Sequence, residues 1–288
     1  MEAFGVDEFT PVWEVSEREF KERLRNEARE GRGNIFLAGF PPVGNAVPFK
    51  LKENLGDAMK VLSFYSYNFP PIAELQDDFF DIPHDELWFS EEKRLFLYIG
   101  KYPEVEYIPK ATYKQAEILA KIAKELFVSE LYTLGVIVLL PEERERMKDV
   151  EAFVARFRSE RDACEHSLEA EGVKVMTRRE MGSYTILRKA GLLPGIASKL
   201  GVESFAVLGV GRRPNDLRAC IRAFRAFVKL SHIEIDVRKI EEELEKDANA
   251  LEERIRKQGR RMPPPPVPPQ PPSQPPTFRR PESSPIYL

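Results

Sequence analysis

Apolar residues fall in two distinct patterns along this chain. Short, nearly continuous apolar runs occur at residues 34–40 (NIFLAGF), 61–67 (VLSFYSY), 94–100 (RLFLYIG), 134–140 (LGVIVLL) and 203–210 (ESFAVLGV). Runs of this length and unbroken character read as strands buried on both faces. Between them lie stretches with one apolar stripe at helical spacing. Residues 112–128 place Ile118, Leu119, Ile122, Ala123, Leu126 and Phe127 on one face, and residues 215–229 do the same with Leu217, Cys220, Ile221, Phe224, Phe227 and Val228. Ser16 and Glu19 form a capping box that opens a charged helix ending near Glu30, read as a surface or subunit-contact element. Helices are also expected over residues 45–60, 195–200 and 236–258, with Asp236 capping the last. A long charged helix is expected over residues 142–171, with Val150, Phe153, Val154, Phe157 and Leu168 as its stripe, and a short strand over 173–177. Residues 70–89 read as an aromatic loop, with Phe79, Phe80, Trp88 and Phe89 as packing rings. Strands alternating with amphipathic helices predict an α/β fold, a three-layer α/β/α sandwich around a mainly parallel sheet.

Composition narrows this picture. The chain has 288 residues, 42% hydrophobic and 32% charged, which is enough to bury a substantial core. A net charge of −3 gives no basis for a nucleic-acid partner. The two cysteines, Cys164 and Cys220, lie in helix-like stretches and imply a reducing compartment without a disulfide framework. The first 20 residues lack a basic-then-apolar leader, and the longest apolar run is too short to span a bilayer. No membrane association is expected, and the cytoplasm is the expected location.

The end of the chain breaks both patterns. Residues 262–285 read MPPPPVPPQPPSQPPTFRRPESSP, and residues 263–288 hold 12 of the 24 prolines. Each proline fixes φ and removes a backbone donor, so an extended arm is expected, reaching up to about 70 Å. The arm ends in Ile286, Tyr287 and Leu288. Together they offer an apolar anchor, an aromatic ring with a hydrogen-bonding end, and a carboxylate. Three regions follow: a terminal extension with a surface helix at 1–33, an α/β domain at 34–258 in which 142–171 is a candidate insertion, and the proline-rich arm at 259–288.

Signals for chemistry are sparse. The glycine-rich turn Gly39-Phe40-Pro41-Pro42-Val43-Gly44-Asn45 follows a strand and precedes a helix, the place where phosphates are held. It lacks both the Gly-Lys-Ser/Thr ending and the G-x-G-x-x-G spacing, so it reads as a structural turn. His84, His166 and His232 show no metal-ligand spacing, and no nucleophile elbow or carboxylate pair stands out. No metal, no cofactor and no catalytic residue is assigned. Arg212, Arg213, Arg218, Arg222 and Arg225 read as a solvated helix face and loop. An enzyme remains the alternative, using the turn at 39–45, Ser183 and the arginines near Arg212 to hold a small phosphorylated or nucleoside ligand.

Two blocks carry a resemblance. The turn at 39–45 resembles the glycine–apolar–Pro–Gly–x–Gly–Asn turn of the proteasome assembly chaperone family, in its prokaryotic branch. The segment Ala190-Gly191-Leu192-Leu193-Pro194-Gly195, the strand at 204–210 and Arg213-Pro214-Asn215-Asp216 resemble, in order, the family's Gly-Leu-Leu segment, last buried strand and Asp-Pro helix start. Pro42 replaces a glycine, and Pro214-Asn215-Asp216 scrambles the Asp-Pro order. The likeness spans residues 34–258 and implies a sandwich similar to nucleoside phosphorylases and a non-enzymatic homo-oligomer, alone or with a homologous subunit. The ending resembles the hydrophobic–tyrosine–any tail with which proteasome activators and some assembly chaperones dock between α subunits of the proteasome core. By that resemblance Ile286, Tyr287 and Leu288 are the partner-binding residues, acting in core assembly or in activation without ATP.

Overall fold

The computed structural model describes residues 9–76, 79–102, 108–157, 171–177, 185–186 and 188–259. It divides into two compact units, Met1–Asn249 and Ala250–Leu288. The first is built on a nine-stranded sheet in the order β1-β3-β6-β7-β2-β8-β11-β9-β10. In chain order its strands are β1 (Thr10–Trp13), β2 (Asn34–Gly39), β3 (Met59–Tyr65), β6 (His84–Ser90), β7 (Leu95–Ile99), β8 (Val128–Val138), β9 (Ala152–Phe157), β10 (Val173–Val175) and β11 (Glu203–Gly211). A separate hairpin pairs β4 (Glu74–Gln76) with β5 (Phe79–Asp81). The helices are α1 (Glu17–Arg29), α2 (Ala46–Asn54), α3 (Pro109–Glu125), α4 (Pro141–Arg146), α5 (Arg188–Lys199), α6 (Leu217–Ser231) and α7 (Val237–Gly259).

Four central strands, β7, β2, β8 and β11, run parallel, while the pairs β1–β3, β3–β6, β6–β7 and β11–β9 are antiparallel. The parallel character expected for the sheet holds at its centre and in the edge pair β9–β10, and the remaining pairs make the sheet mixed. Side chains along β2, β7 and the first half of β8 point to one or the other of two cores. Phe36, Ala38, Phe96, Tyr98 and Leu131 face α1, α3 and α5. Leu37, Leu95, Leu97, Tyr132 and Leu134 face α2, α6 and α7. Helices cover both faces, which is why these strands read as continuous apolar runs.

Several expectations change. Over the described residues 142–157, the expected helix is replaced by the single-turn-and-a-half α4 and then by strand β9, which pairs antiparallel beside β11, while the remainder of that expected helix, with Leu168, lies outside the described residues. The apolar spacing of Val150, Phe153, Val154 and Phe157 fits a helix on paper. In the fold, Val154 points into one core while Phe153 and Phe157 join a third cluster with Ile137, Leu139 and Leu208 on the opposite face. The aromatic loop at 70–89 contains strand β6, paired on both sides with β3 and β7. The helix after the Gly39 turn stops at Asn54, because residues 59–60 already belong to β3. Helix α1 begins one residue after Ser16 as expected, but the Ser16 side chain makes no cap bond. That helix is also no mere surface element, since Phe20 and Leu24 are buried against the sheet.

Helix α5 runs through Pro194, earlier than the expected start. A proline inside a helix leaves the carbonyl four residues back without its donor. Here that carbonyl is Ala190 O, and it accepts the Thr133 hydroxyl of β8 at 2.7 Å. The proline's missing bond becomes a pin between helix and sheet.

Candidate functional site

In a parallel sheet, loops meet at the carboxyl ends of the strands, and a crevice opens where successive connections leave to opposite faces. That point lies between β2 and β8. Chain leaving β2 turns to α2 on one face, whereas chain leaving β8 returns to β11 by way of β9, β10 and α5, the last on the other face. The expected structural turn at 39–45 forms one wall. Its glycines are demanded by packing: a Cβ on Gly39 would sit 2.4 Å from Gly44 O, and one on Gly44 would sit 2.8 Å from Leu134 O. Backbone packs directly against both glycines, so the turn braces β2 against β8. Asn45 Nδ2 donates to Gly100 O at 2.9 Å, and Gly100 N donates to Gly39 O at 3.0 Å, tying the turn to the end of β7.

Between this brace and the end of β8 lies a cleft of about 460 Å³. Residues 40–44 and 134–138 form two walls, Leu208 of β11 and Ala190 of α5 contribute, and Met176, Ile186 and Pro214 complete the rim. Among the described lining residues the polar side chains are Thr185 and Arg188. Gly135 lies on the floor, where a Cβ would meet Leu208 Cδ2 at 2.8 Å. Arg188, at the start of α5, holds a left-handed backbone with φ 61°. Non-glycine residues pay a conformational cost for that geometry, and such outliers concentrate at functional positions.

A buried polar lattice lies directly behind the cleft. Asp85 and Lys189 are each 1% exposed. Asp85 accepts from the Tyr98 hydroxyl at 2.5 Å and from Lys101 N at 2.7 Å. Burial pushes its carboxyl above the ordinary range, and the charge of Lys189 with those two donors offsets this only in part. Lys189 Nζ donates to Gln115 Oε1 at 2.6 Å and stands 4.8 Å above the Phe40 ring. Gln115 Nε2 has no partner among the described residues. On the other face of β6, burial would raise the Glu86 carboxyl, but His84, Lys101 and the Trp88 indole outweigh it and hold it well below the usual range. Lys101 Nζ lies 2.9 Å from Glu86 Oε1 and Trp88 Nε1 donates to Oε2 at 2.9 Å. His84 Nε2 lies 3.4 Å from Oε1, outside hydrogen-bond geometry.

The sequence-predicted candidates separate. The turn at 39–45 lines the cleft, while Ser183, His166, Cys164 and the tail residues Ile286, Tyr287 and Leu288 lie outside the described residues. Of the arginines read as a solvated face, Arg222 donates to Val210 O, Arg218 reaches Asn249 Oδ1 at 2.7 Å, and Arg225 makes a two-pronged pair with Glu241. They clamp α6 to β11 and α7. Cys220 is fully buried, with its thiol pushed up to about 12 by burial, so it is unreactive packing. His232 ends α6 in a left-handed conformation. Asp85, Lys189, Arg188 and Thr133 escaped sequence reasoning. The polar run His84-Asp85-Glu86 leads straight into the apolar Leu87-Trp88-Phe89, so no alternation marked Asp85 in the sequence. No helix among the described residues is long and apolar enough to cross a membrane.

Known proteins place this architecture. The fold is similar to the crystal structure of PbaB from Pyrococcus furiosus, described as an archaeal proteasome activator, with a TM-score of 0.64 and 22% identity over 88% of this chain and 100% of that one. It is also similar to PbaA from the same organism, described as an archaeal homolog of proteasome-assembly chaperone, with a TM-score of 0.60 and 19% identity over 88% and 97% of the two chains. A Thermoplasma acidophilum protein of unknown function shares the fold with a TM-score of 0.57 and 14% identity over 86% and 99%. No curated protein matches. Residues 36–258 match the model of the PAC2 family, and the chain therefore belongs to the PAC2 family.

Proposed function

We propose that this chain is a non-enzymatic proteasome-interacting protein, an assembly chaperone or an activator that works without ATP. The observation that carries this reading is the ending Ile286-Tyr287-Leu288, set beyond a proline-rich tract on a PAC2-family body. The likeness in fold to a proteasome activator and to an assembly-chaperone homolog supports it. In this reading Ile286 enters an apolar part of a pocket between α subunits of the proteasome core. Tyr287 stacks and hydrogen-bonds there, and the Leu288 carboxylate pairs with a pocket lysine. The body forms a homo-oligomer in the cytoplasm, alone or with a homologous subunit, and presents several arms to one α ring.

The test is co-sedimentation of the full chain with purified proteasome core. Deleting Ile286–Leu288, Tyr287→Ala, or one extra residue after Leu288 should each abolish association while the melting temperature of the body stays unchanged. Undiminished association of all three variants would remove tail docking from consideration.

A further inference from the structure

We infer that the cleft between β2 and β8 receives an apolar knob from a second copy of this chain, formed by Ile72 and Ile82 at the base of the β4–β5 hairpin. The inference rests on the homo-oligomer reading above and names the two surfaces that join its copies. Ile72 is 52% exposed and Ile82 47%. The hairpin sets Glu74 opposite Asp81, which brings the two isoleucines, just outside that pair, to neighbouring positions. Their backbone is held in place. Ile72 N donates to Pro70 O at 2.8 Å, Ile82 N donates to Asp81 Oδ1 at 2.7 Å, and Pro71 and Pro83 stand beside them with fixed φ. An apolar tip set in advance loses little order on binding.

The cleft is the counterpart of that tip. Phe40, Val43, Leu134, Ile137 and Leu208 give it apolar walls around about 460 Å³, and Val138, 39% exposed, carries apolar surface out to the rim. Charge selects the surface that fits. Residues 72–83 contain Glu74, Asp77, Asp78 and Asp81 and no lysine, arginine or histidine. At the cleft, Arg212 and Arg213 precede the rim residue Pro214. The acids nearby are answered: Asp216 accepts from Arg212 N and Arg218 N, Glu143 accepts from Leu140 N, and Arg144 and Arg146 balance the other acids of α4. An acidic hairpin thus matches a basic rim, and two copies of one chain supply both halves.

Knob and cleft occupy different parts of the chain. The hairpin lies between β3 and β6, the cleft lies at β2, β8 and β11, and β7 separates β6 from β2 in the sheet. Contact between unlike surfaces is heterologous, and it repeats into a ring when the rotation closes. A closed ring gives every copy one orientation, as the presentation of several arms to one α ring requires.

The experiment is sedimentation equilibrium of the full chain and of variants at exposed or rim positions, with circular dichroism to confirm that each folds. I72S/I82S breaks the knob and V138D breaks the cleft rim. Each should weaken self-association at least about thirtyfold, the loss expected of a buried apolar anchor. R212E/R213E sets like charges against the hairpin and should weaken it at least about tenfold. The decisive arm is a mixture. I72S/I82S keeps its cleft and V138D keeps its knob, so the two monomeric variants should form one-to-one pairs and nothing larger. Deleting Ile286–Leu288 should leave the oligomer unchanged. Undiminished association of any of the three variants, or monomeric variants that do not pair when mixed, would overturn this inference alone. A monomeric full chain would overturn it together with the homo-oligomer reading, while tail docking is decided separately by the co-sedimentation above.

Discussion

Asp85 and Glu86 are neighbours on one strand, yet the fold treats them oppositely. Alternation along β6 sends Asp85 towards Tyr98 and Lys189, and Glu86 towards Lys101, His84 and Trp88. Glu86 is depressed in the folded state, so its contribution is present above its unfolded value of 4.5 and is lost as pH falls. Asp85 is raised, so its contribution is fullest below its unfolded value of 3.8 and is lost as pH rises through the folded one. E86Q should therefore cost about 1.5–3 kcal/mol at neutral pH, the value of bonds to a charged group. It should also flatten the loss of stability below pH 4.5, both read from urea unfolding across a pH series. An unchanged acid limb in E86Q would show that other carboxylates set it.

The contact between β11 and α6 shows why one glycine cannot be replaced. A Cβ on Gly209 would lie 1.7 Å from Ala219 O and 2.6 Å from the Ala219 carbonyl carbon. Both are backbone, so nothing flexible can yield. G209A should destabilise the chain by about 3 kcal/mol or more, seen as a lower denaturant midpoint. A cost under 1 kcal/mol would mean that α6 shifts freely on the sheet. The same packing explains how elements were read or misread. Helices α3, α6 and α7 were legible because each buries a single stripe, as with Ile240, Leu244 and Ala248 of α7. Strand β9 was not. Its apolar residues face two different clusters, and in a charged stretch their spacing imitates a helix.

For the molecule as a whole, the proposed arms gain by number. One short tail binds weakly, and several on one oligomer gain through effective concentration. Mixed oligomers of full-length and tail-deleted chains should lose association with the proteasome core far faster than the fraction of intact tails falls. A drop of about a hundredfold is expected once a single arm remains, measured by titrating the two chains before binding. A strictly proportional loss would show that each arm acts alone.

The sequence by itself determined the α/β class, the central strands, the tight turn at 39–45 and the composition of the tail. Each follows from local rules: apolar runs mark strands covered twice, single stripes mark helices, and prolines forbid both. The mixed edges of the sheet, the insertion of β9, and the gathering of Phe40, Leu134, Arg188 and Leu208 around one cleft were decided only in the tertiary structure. Those residues lie far apart along the chain. What joins them is the crossing of connections to opposite faces at β2 and β8, which is a property of strand order and of no single segment.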